Sequence, residues 1–236
     1  MNYNDSMGWR RACLVWAALQ LVLGLPLNRF VVPAAPPTIR RGEDEAAAPD
    51  IETAPQRGAM LLLAFFFSAV WFVTGAMAAH LPRLLQAAGA TPAGAIAAAA
   101  LVGPAQVAAR VVEFSLLRRV HPVVATRIAA ALHPLGAACL ALLGAPAAIA
   151  FSLLHGAGNG MLTSAKGTRP LAIFGPAGYG QRSGLLSAPA RTAQAAAPLV
   201  FGLLLDNLGL RPALCCSAGL SLAALAALFW LRPPRA

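Results

Sequence analysis

Long apolar runs that contain almost no charged side chains dominate the sequence. They cover residues 12–28, 58–82, 84–109, 128–165, 183–205 and 212–231, and only the fifth contains a charge, Arg191. A helix crosses a bilayer with roughly 20 apolar residues, so the fourth run is long enough for two helices. Gly144, Ala145 and Pro146 mark the break between them. The pattern predicts an all-α polytopic membrane protein with seven transmembrane helices.

The composition also indicates a membrane environment. The chain is 58% hydrophobic and 11% charged, with a mean hydropathy of +0.67, whereas about a quarter of the residues in an ordinary soluble domain are charged. The alternating pattern of membrane β-strands is absent from the sequence. The lipid bilayer is therefore the first expected partner.

A polar stretch separates the first apolar run from the others. Residues 33–58 are rich in proline and alanine and hold five of the eight acidic residues, a composition typical of a flexible linker. The predicted organisation is one transmembrane helix over 1–32, a charged cytoplasmic linker over 33–58, and a six-helix bundle over 59–236.

The distribution of Lys and Arg predicts an orientation. With the N-terminus outside and the C-terminus in the cytoplasm, inner segments hold twelve basic residues and outer segments four. The inner ones are Arg29, Arg40, Arg41, Arg57, Arg118, Arg119, Arg127, Lys166, Arg169, Arg182, Arg232 and Arg235. The positive-inside rule favours this arrangement in the cell (inner) membrane. Arg10 and Arg11 before an apolar run are also typical of a secretory signal peptide, which would reverse it.

Residues 153–170, LLHGAGNGMLTSAKGTRP, carry an unusual set of small and polar side chains. A phosphate-binding loop requires lysine between glycine and Ser or Thr, but Lys166 lies between Ala165 and Gly167. Small residues recur instead at intervals of four, which predicts a helix-packing ridge. The ridge consists of Gly156, Gly160 and Ser164.

A second stripe on the same helix is polar and includes His155 and Asn159. At 1.5 Å per residue, Gln106, Asn159 and Gln194 each lie roughly 16 to 21 Å from the start of their predicted helices. All three therefore reach the middle third of a core about 30 Å thick. With Arg191, one turn from Gln194, they predict a substrate pathway. The alternative is that these side chains only hydrogen-bond neighbouring helices.

Arg110 and Glu113 are three residues apart on one helix near its inner end. This spacing brings the two side chains together, and we interpret them as a structural or gating charge pair rather than as substrate ligands. The net charge of +10 follows from residues at span ends, not from a basic stripe, so nucleic acid is not an expected partner. No metal-ligand spacing, nucleophile or paired carboxylate is present, which predicts no metal site, no cofactor and no enzyme.

Several segments are similar to a known family. GPAQVAARVVE, LLRRVHP, LHGAGNGMLTSAKGTRPLAIFGPAGYG and APARTAQAAAPLVFGLLLDNLG resemble the second half of major facilitator superfamily transporters. Residues 8–27 also align with residues 209–228, pairing Gly8 with Gly209 and Arg10 with Arg211, and half-repeats are a property of that superfamily. The family's loop signature is present here only as a degenerate trace around Gly103 and Arg110.

The resemblance implies the last seven of twelve helices, with a missing N-terminal half as a partner. It also implies secondary active transport of a small solute by alternating access, as import or efflux. A non-transporting truncated fragment and a seven-helix receptor-like protein are the alternatives. Because no carboxylate lies at the midplane, we expect any proton-exchanging site to lie outside this chain.

Overall fold

The computed structural model describes residues 3–31, 54–115, 122–176 and 178–231, which fall into two compact units, Met1–Ala47 and Ala48–Ala236. Over these residues the secondary structure is helical, with turns between helices and no strand. The all-α prediction is confirmed for this part of the chain.

The first unit contains one helical rod. α1 (Tyr3–Leu19) leads through a π-helical turn (Gln20–Gly24) into α2 (Leu25–Val31). Its side chains are exposed at nearly every described position. The segment Cys13–Val31 is long and apolar enough to cross a membrane, in agreement with the first predicted span.

The second unit is built from seven helices in its described residues. They are α3 (Ala54–Ala87), α4 (Pro92–Ala100), α5 (Val102–Ser115), α6 (Pro122–Leu143), α7 (Ala148–Phe174), α8 (Tyr179–Leu208) and α9 (Leu210–Trp230). A single turn at Leu101 separates α4 from α5. We treat α4 and α5 together as one rod, so the unit has six rods.

The predicted break in the fourth run is confirmed. α6 ends at Leu143, Gly144 adopts φ 65°, and a short 3₁₀ turn over Ala145–Ala147 leads into α7. Only glycine reaches such a positive φ without steric cost. The reversal therefore depends on Gly144.

Two predicted boundaries differ from the structure. α3 runs through Pro82 to Ala87, so the third span begins at Pro92 and not at residue 84. Pro82 removes one backbone hydrogen bond without ending the helix, and the chain turns instead at Gly89, where φ is 97°. α3 also begins at Ala54, so the end of the predicted linker is helical; its residues 33–53 lie outside the described part.

Length and composition make five segments of the described chain able to cross a membrane. They are Cys13–Val31, Gln56–Ala87, Pro92–Ser115, Val124–Leu143 and Leu210–Trp230. The helices α7 and α8 are 27 and 30 residues long and are not among the five. Both carry more polar residues than the other helices, so their role as spans belongs to the functional proposal below.

Helix pairing in the second unit follows a regular pattern. α3 packs against α8 and α9, α7 packs against α5 and α6, and α6 packs against α9. If α3 is exchanged with α7, α5 with α8, and α6 with α9, the same set of helix pairs results. The first three rods thus pack against the last three in a symmetric pattern.

Side-chain contacts give the directions of two pairs. Trp71 lies against Arg191 and Arg83 pairs with Asp206 further along both helices, so α3 and α8 run parallel. The backbone of α5 likewise meets α7 at Gly156 and, one turn on, at Gly160. These two helices also run parallel.

The third pairing, between α6 and α7, is antiparallel. Gly158 lies against Ala129, whereas Phe151, earlier in α7, lies against Gly136, later in α6. The central helices α3 and α7 also run in opposite directions, because Thr74 meets Asn159 while the earlier Trp71 meets the later Lys166. The two three-rod groups are therefore inverted relative to each other.

Glycines set the closest helix contacts. A Cβ atom built on Gly156 would lie 2.7 Å from the Val102 carbonyl oxygen, and one on Gly160 would lie 2.6 Å from that of Gln106. The first two members of the predicted ridge therefore pack against α5, and Ser164, its third member, is exposed. On the next face of α7, Gly158 makes the corresponding approach to Ala129 of α6.

This geometry predicts that even alanine is too large at position 160. Gly160→Ala should lower the free energy of unfolding in detergent by about 1–3 kcal/mol, because the added methyl group must push the backbone of α5 away. Gly184→Ala is the matched control, since a Cβ there meets nothing within 4 Å and alanine is the better helix former. Equal stability of the two variants would contradict the close contact.

Candidate functional site: a polar cavity between α3, α5 and α7

A cavity of about 230 Å³ lies between α3, α4, α5 and α7. Four polar side chains line it, Thr74, Gln106, His155 and Asn159. Its other lining residues are apolar and are Met77, Ala78, Leu81, Pro82, Ala99 and Val102. The cavity thus combines an apolar wall with a few convergent polar groups, as small-molecule sites do.

The structure brings Gln106, His155 and Asn159 together, three of the five residues predicted for the substrate pathway. Gln106 reaches the cavity because the glycines of α7 hold α5 close. His155 and Asn159 are one turn apart on α7, so both side chains leave the helix on one face. Local spacing on α7 and close packing of α5 therefore build most of the site.

Thr74 connects α3 to this face of α7. Its Oγ1 lies 2.9 Å from Asn159 Oδ1 and 2.9 Å from the carbonyl oxygen of Val70. A hydroxyl has one hydrogen, so it donates to one of these acceptors at a time. When it donates to Val70, the Asn159 amide can turn over and donate its own NH₂ to Thr74. The pair can therefore present either an acceptor or a donor to the cavity.

A buried histidine pair lies beside the cavity. Nδ1 of His133, on α6, is 3.0 Å from Nδ1 of His155, so one ring donates and the other accepts. Phe151 flanks both rings. Nε2 of His133 is buried without a hydrogen-bond partner among the described residues. The two rings also line a second cavity of about 20 Å³, which has room for a water molecule.

Neither His133 nor Thr74 was predicted from the sequence to belong to the site. A histidine inside the apolar run 128–165 is itself a signal, because ionisable residues within a membrane helix face the protein interior and are usually functional. Thr74 carries no such signal, since threonine often bonds its own helix. Only the packing of α3 against α7 shows that Thr74 faces Asn159.

Arg191 and Gln194, the other two predicted pathway residues, do not line either cavity. Nη1 of Arg191 donates to Oε1 of Gln194 at 2.7 Å, so the two residues form one unit on α8. The Arg191 guanidinium lies 4.7 Å from the ring centre of Trp71, and Lys166 Nζ lies 5.3 Å from it. Neither Trp71 nor Lys166 was predicted to belong to the substrate pathway.

The predicted charge pair of Arg110 and Glu113 occupies the last turns of α5. Nε of Arg110 donates to the carbonyl oxygen of Gly160 at 3.3 Å, which adds a hydrogen bond to the close contact between α5 and α7. Glu113 is half-buried on the same helix. The bond from Arg110 to the backbone supports a structural role for this arginine.

Two hydrogen bonds join α3 and α8 towards the C-terminal ends of both helices. Nε2 of His80 donates to the Pro198 carbonyl at 2.7 Å, and Arg83 hydrogen-bonds the carboxylate of Asp206. The hydrogen bond from Arg83 holds the pKa of Asp206 below its ordinary value. The stabilisation of the fold by the Arg83–Asp206 pair is fully present above the ordinary pKa of an aspartate. It is lost as the pH falls through the lowered pKa of Asp206. Both groups are exposed, so water screens the pair.

The comparisons with known proteins do not assign a function, because no family model and no curated protein matches the chain. Among the described residues, no group of three or more His, Cys, Asp or Glu side chains could hold a metal ion. The chemistry of the cavity must therefore be inferred from its own side chains. Amides, a hydroxyl and an imidazole are groups that can donate and accept hydrogen bonds.

The Thr74–Asn159 hydrogen bond yields a direct prediction. Thr74→Val should lower the free energy of unfolding by about 1 kcal/mol, and much less when Asn159 is already Leu, because both changes then remove the same bond. Thr192→Val is the matched control, since Thr192 bonds only the Ala188 carbonyl of its own helix and is exposed. Additive effects of Thr74→Val and Asn159→Leu would exclude the interhelical bond.

Proposed function

We propose that the chain is a membrane-embedded secondary transporter of the major facilitator type, and that the cavity of Thr74, Gln106, His155 and Asn159 binds its solute. The cavity is the observation that supports this most strongly. Burying polar groups inside an apolar helical bundle costs free energy, so such groups usually hold helices together or bind a solute. Here four polar side chains line an open volume instead of only hydrogen-bonding one another.

The inverted pairing of three-rod groups supports the family assignment. Each six-helix half of a major facilitator transporter is a pair of inverted three-helix repeats. The contacts of α3, α5 and α6 are repeated with opposite direction by α7, α8 and α9. The sequence resemblance described above points to the same half-bundle.

The proposal treats α7 and α8 as spans in addition to the five apolar segments, with α4 and α5 forming a single span. This gives seven transmembrane helices. The described basic side chains support an orientation with the α7 C-terminal end in the cytoplasm, since Arg57, Arg127, Lys166 and Arg182 belong to that half of the bundle and the other end has only Arg83 and Arg211. The N-terminus is then outside and the C-terminus is cytoplasmic.

The mechanism is alternating access, in which the cavity opens in turn to the two sides of the membrane. Gln106, His155 and Asn159 hydrogen-bond the solute from two helices. The glycine contacts and the Arg110–Gly160 bond hold α5 and α7 together, so that they move as one body. The His133–His155 pair is an ionisable pair inside the bundle, whereas the sequence led us to expect any proton-exchanging site outside this chain.

Solute entry into vesicles tests the proposal. The full chain, reconstituted in liposomes, should speed the entry of at least one polar metabolite in a radiolabelled panel relative to empty liposomes. Asn159→Leu should reduce that entry about tenfold or more, because a lost hydrogen bond of about 1.4 kcal/mol corresponds to a factor of ten.

Asn207→Leu is the matched control, since the Asn207 amide is exposed and bonds only its own helix at the Leu203 carbonyl. It should retain the entry rate of the unaltered chain. Equal loss in both variants, or entry no faster than in empty liposomes for the whole panel, would contradict solute transport through this cavity.

A further inference from the structure

Two cations from different helices share one aromatic ring at some distance from the cavity. The Lys166 ammonium of α7 lies 5.3 Å from the ring centre of Trp71, and the Arg191 guanidinium of α8 lies 4.7 Å from it. Trp71 itself is on α3. Three helices therefore place two positive charges around a single indole.

Neither cation has a carboxylate partner among the described residues. Asp206 pairs with Arg83, towards the other end of α8, and the hydrogen bond of Arg191 goes to the neutral Gln194. Unlike these two, most other described basic side chains on α3 to α9 bond a carboxylate or a backbone carbonyl, as Arg83, Arg110, Arg127 and Arg182 do. Within the described part of the chain, no acidic group therefore offsets the positive charge of Lys166 and Arg191.

The local arrangement favours an anion between or beside the two cations. Like charges repel, so the pair is stabilised when a negative group bridges it. Gln194 fixes the guanidinium of Arg191 through a 2.7 Å bond, and the indole face holds both cations by cation–π attraction. A guanidinium offers further donors to a carboxylate or phosphate. Arg191 is exposed and Lys166 is half-buried, so the cations remain accessible.

The Lys166–Trp71 contact lies between α3 and α7, as the Thr74–Asn159 contact at the cavity does. Lys166 follows Asn159 by seven residues, which is two turns of α7 or about 10 Å along its axis. Trp71 precedes the cavity residue Thr74 by one turn of α3. A ligand whose anionic group lies at the cation pair can therefore extend towards the amides and imidazole of the cavity.

We propose that Lys166, Arg191 and Trp71 bind the anionic group, a carboxylate or a phosphate, of the transported solute. The solute is then a small organic anion with additional hydrogen-bonding groups. This inference rests on the proposed transport function, whose cavity it extends. A lipid headgroup presents the same phosphate chemistry, so the experiment must separate a soluble anion from a lipid.

Fluorescence of Trp71 gives a direct measurement. In the full chain, replacing Trp9, Trp16 and Trp230 by Phe leaves Trp71 as the only tryptophan. The protein is placed in nanodiscs of neutral phosphatidylcholine and titrated with succinate and with inorganic phosphate at constant ionic strength. A saturable change in Trp71 emission is expected with at least one of these anions.

Charge-neutralising variants test which side chains are responsible. Lys166→Gln and Arg191→Gln should each raise the apparent Kd about tenfold or more. Arg211→Gln is the matched control, because Arg211 is an exposed cation at the other end of the bundle, and it should leave the Kd unchanged. An equal shift in all three variants would indicate a general effect of net charge and would overturn the site.

The lipid arm repeats the measurement in nanodiscs that contain phosphatidylglycerol. An emission change caused by this lipid, without a response to soluble anions, would overturn the assignment to a solute. No response to either anion source would overturn the anion site itself. Such results would leave the transport proposal intact if Asn159→Leu still abolishes solute entry, so the two proposals can fail separately.

Discussion

A polar group within an apolar helical bundle is stabilised by a partner inside the protein, because hydrocarbon offers none. This constraint explains the polar contacts between helices. Asn159 meets Thr74, His155 meets His133, and Arg110 and Arg127 reach backbone carbonyls of other helices. The orientation of α7 follows from it, since its polar stripe must face the interior.

Small side chains make those contacts possible. Where Gly156 and Gly160 let α5 approach α7, the side chain of Gln106 reaches the same space as His155 and Asn159. Gly75 allows the same approach to Gln194 on α8, whose carbonyl cannot bond Pro198 because proline has no N–H. Close backbone contact on both sides of the central helices leaves the remaining volume for the cavity and places its polar lining.

The sequence predicts most elements that depend on local signals. The break at Gly144 follows from Gly and Pro, and the small and polar stripes of α7 follow from their spacing of four residues. Relations between helices were harder to predict. Arg191 was grouped with Gln106 and Asn159 but lies outside their cavity, against Trp71, and His133 was overlooked, because both placements depend on which faces of two helices meet. The same limit applied to Pro82, which the pattern marks as a boundary although the helix continues through it.

The central claim is that the polar face of α7 encloses a water-accessible cavity inside a bundle whose outer surface contacts lipid. Cysteine reactivity in nanodiscs tests it, in a chain whose native cysteines are replaced by alanine. Ala78 lines the cavity, and Leu199 is 68% exposed on α8 at nearly the same level, since His80 bonds Pro198. Ala78→Cys should react with a charged methanethiosulfonate reagent, whereas Leu199→Cys should not. Equal reaction at both positions, or none at Ala78, would contradict the account.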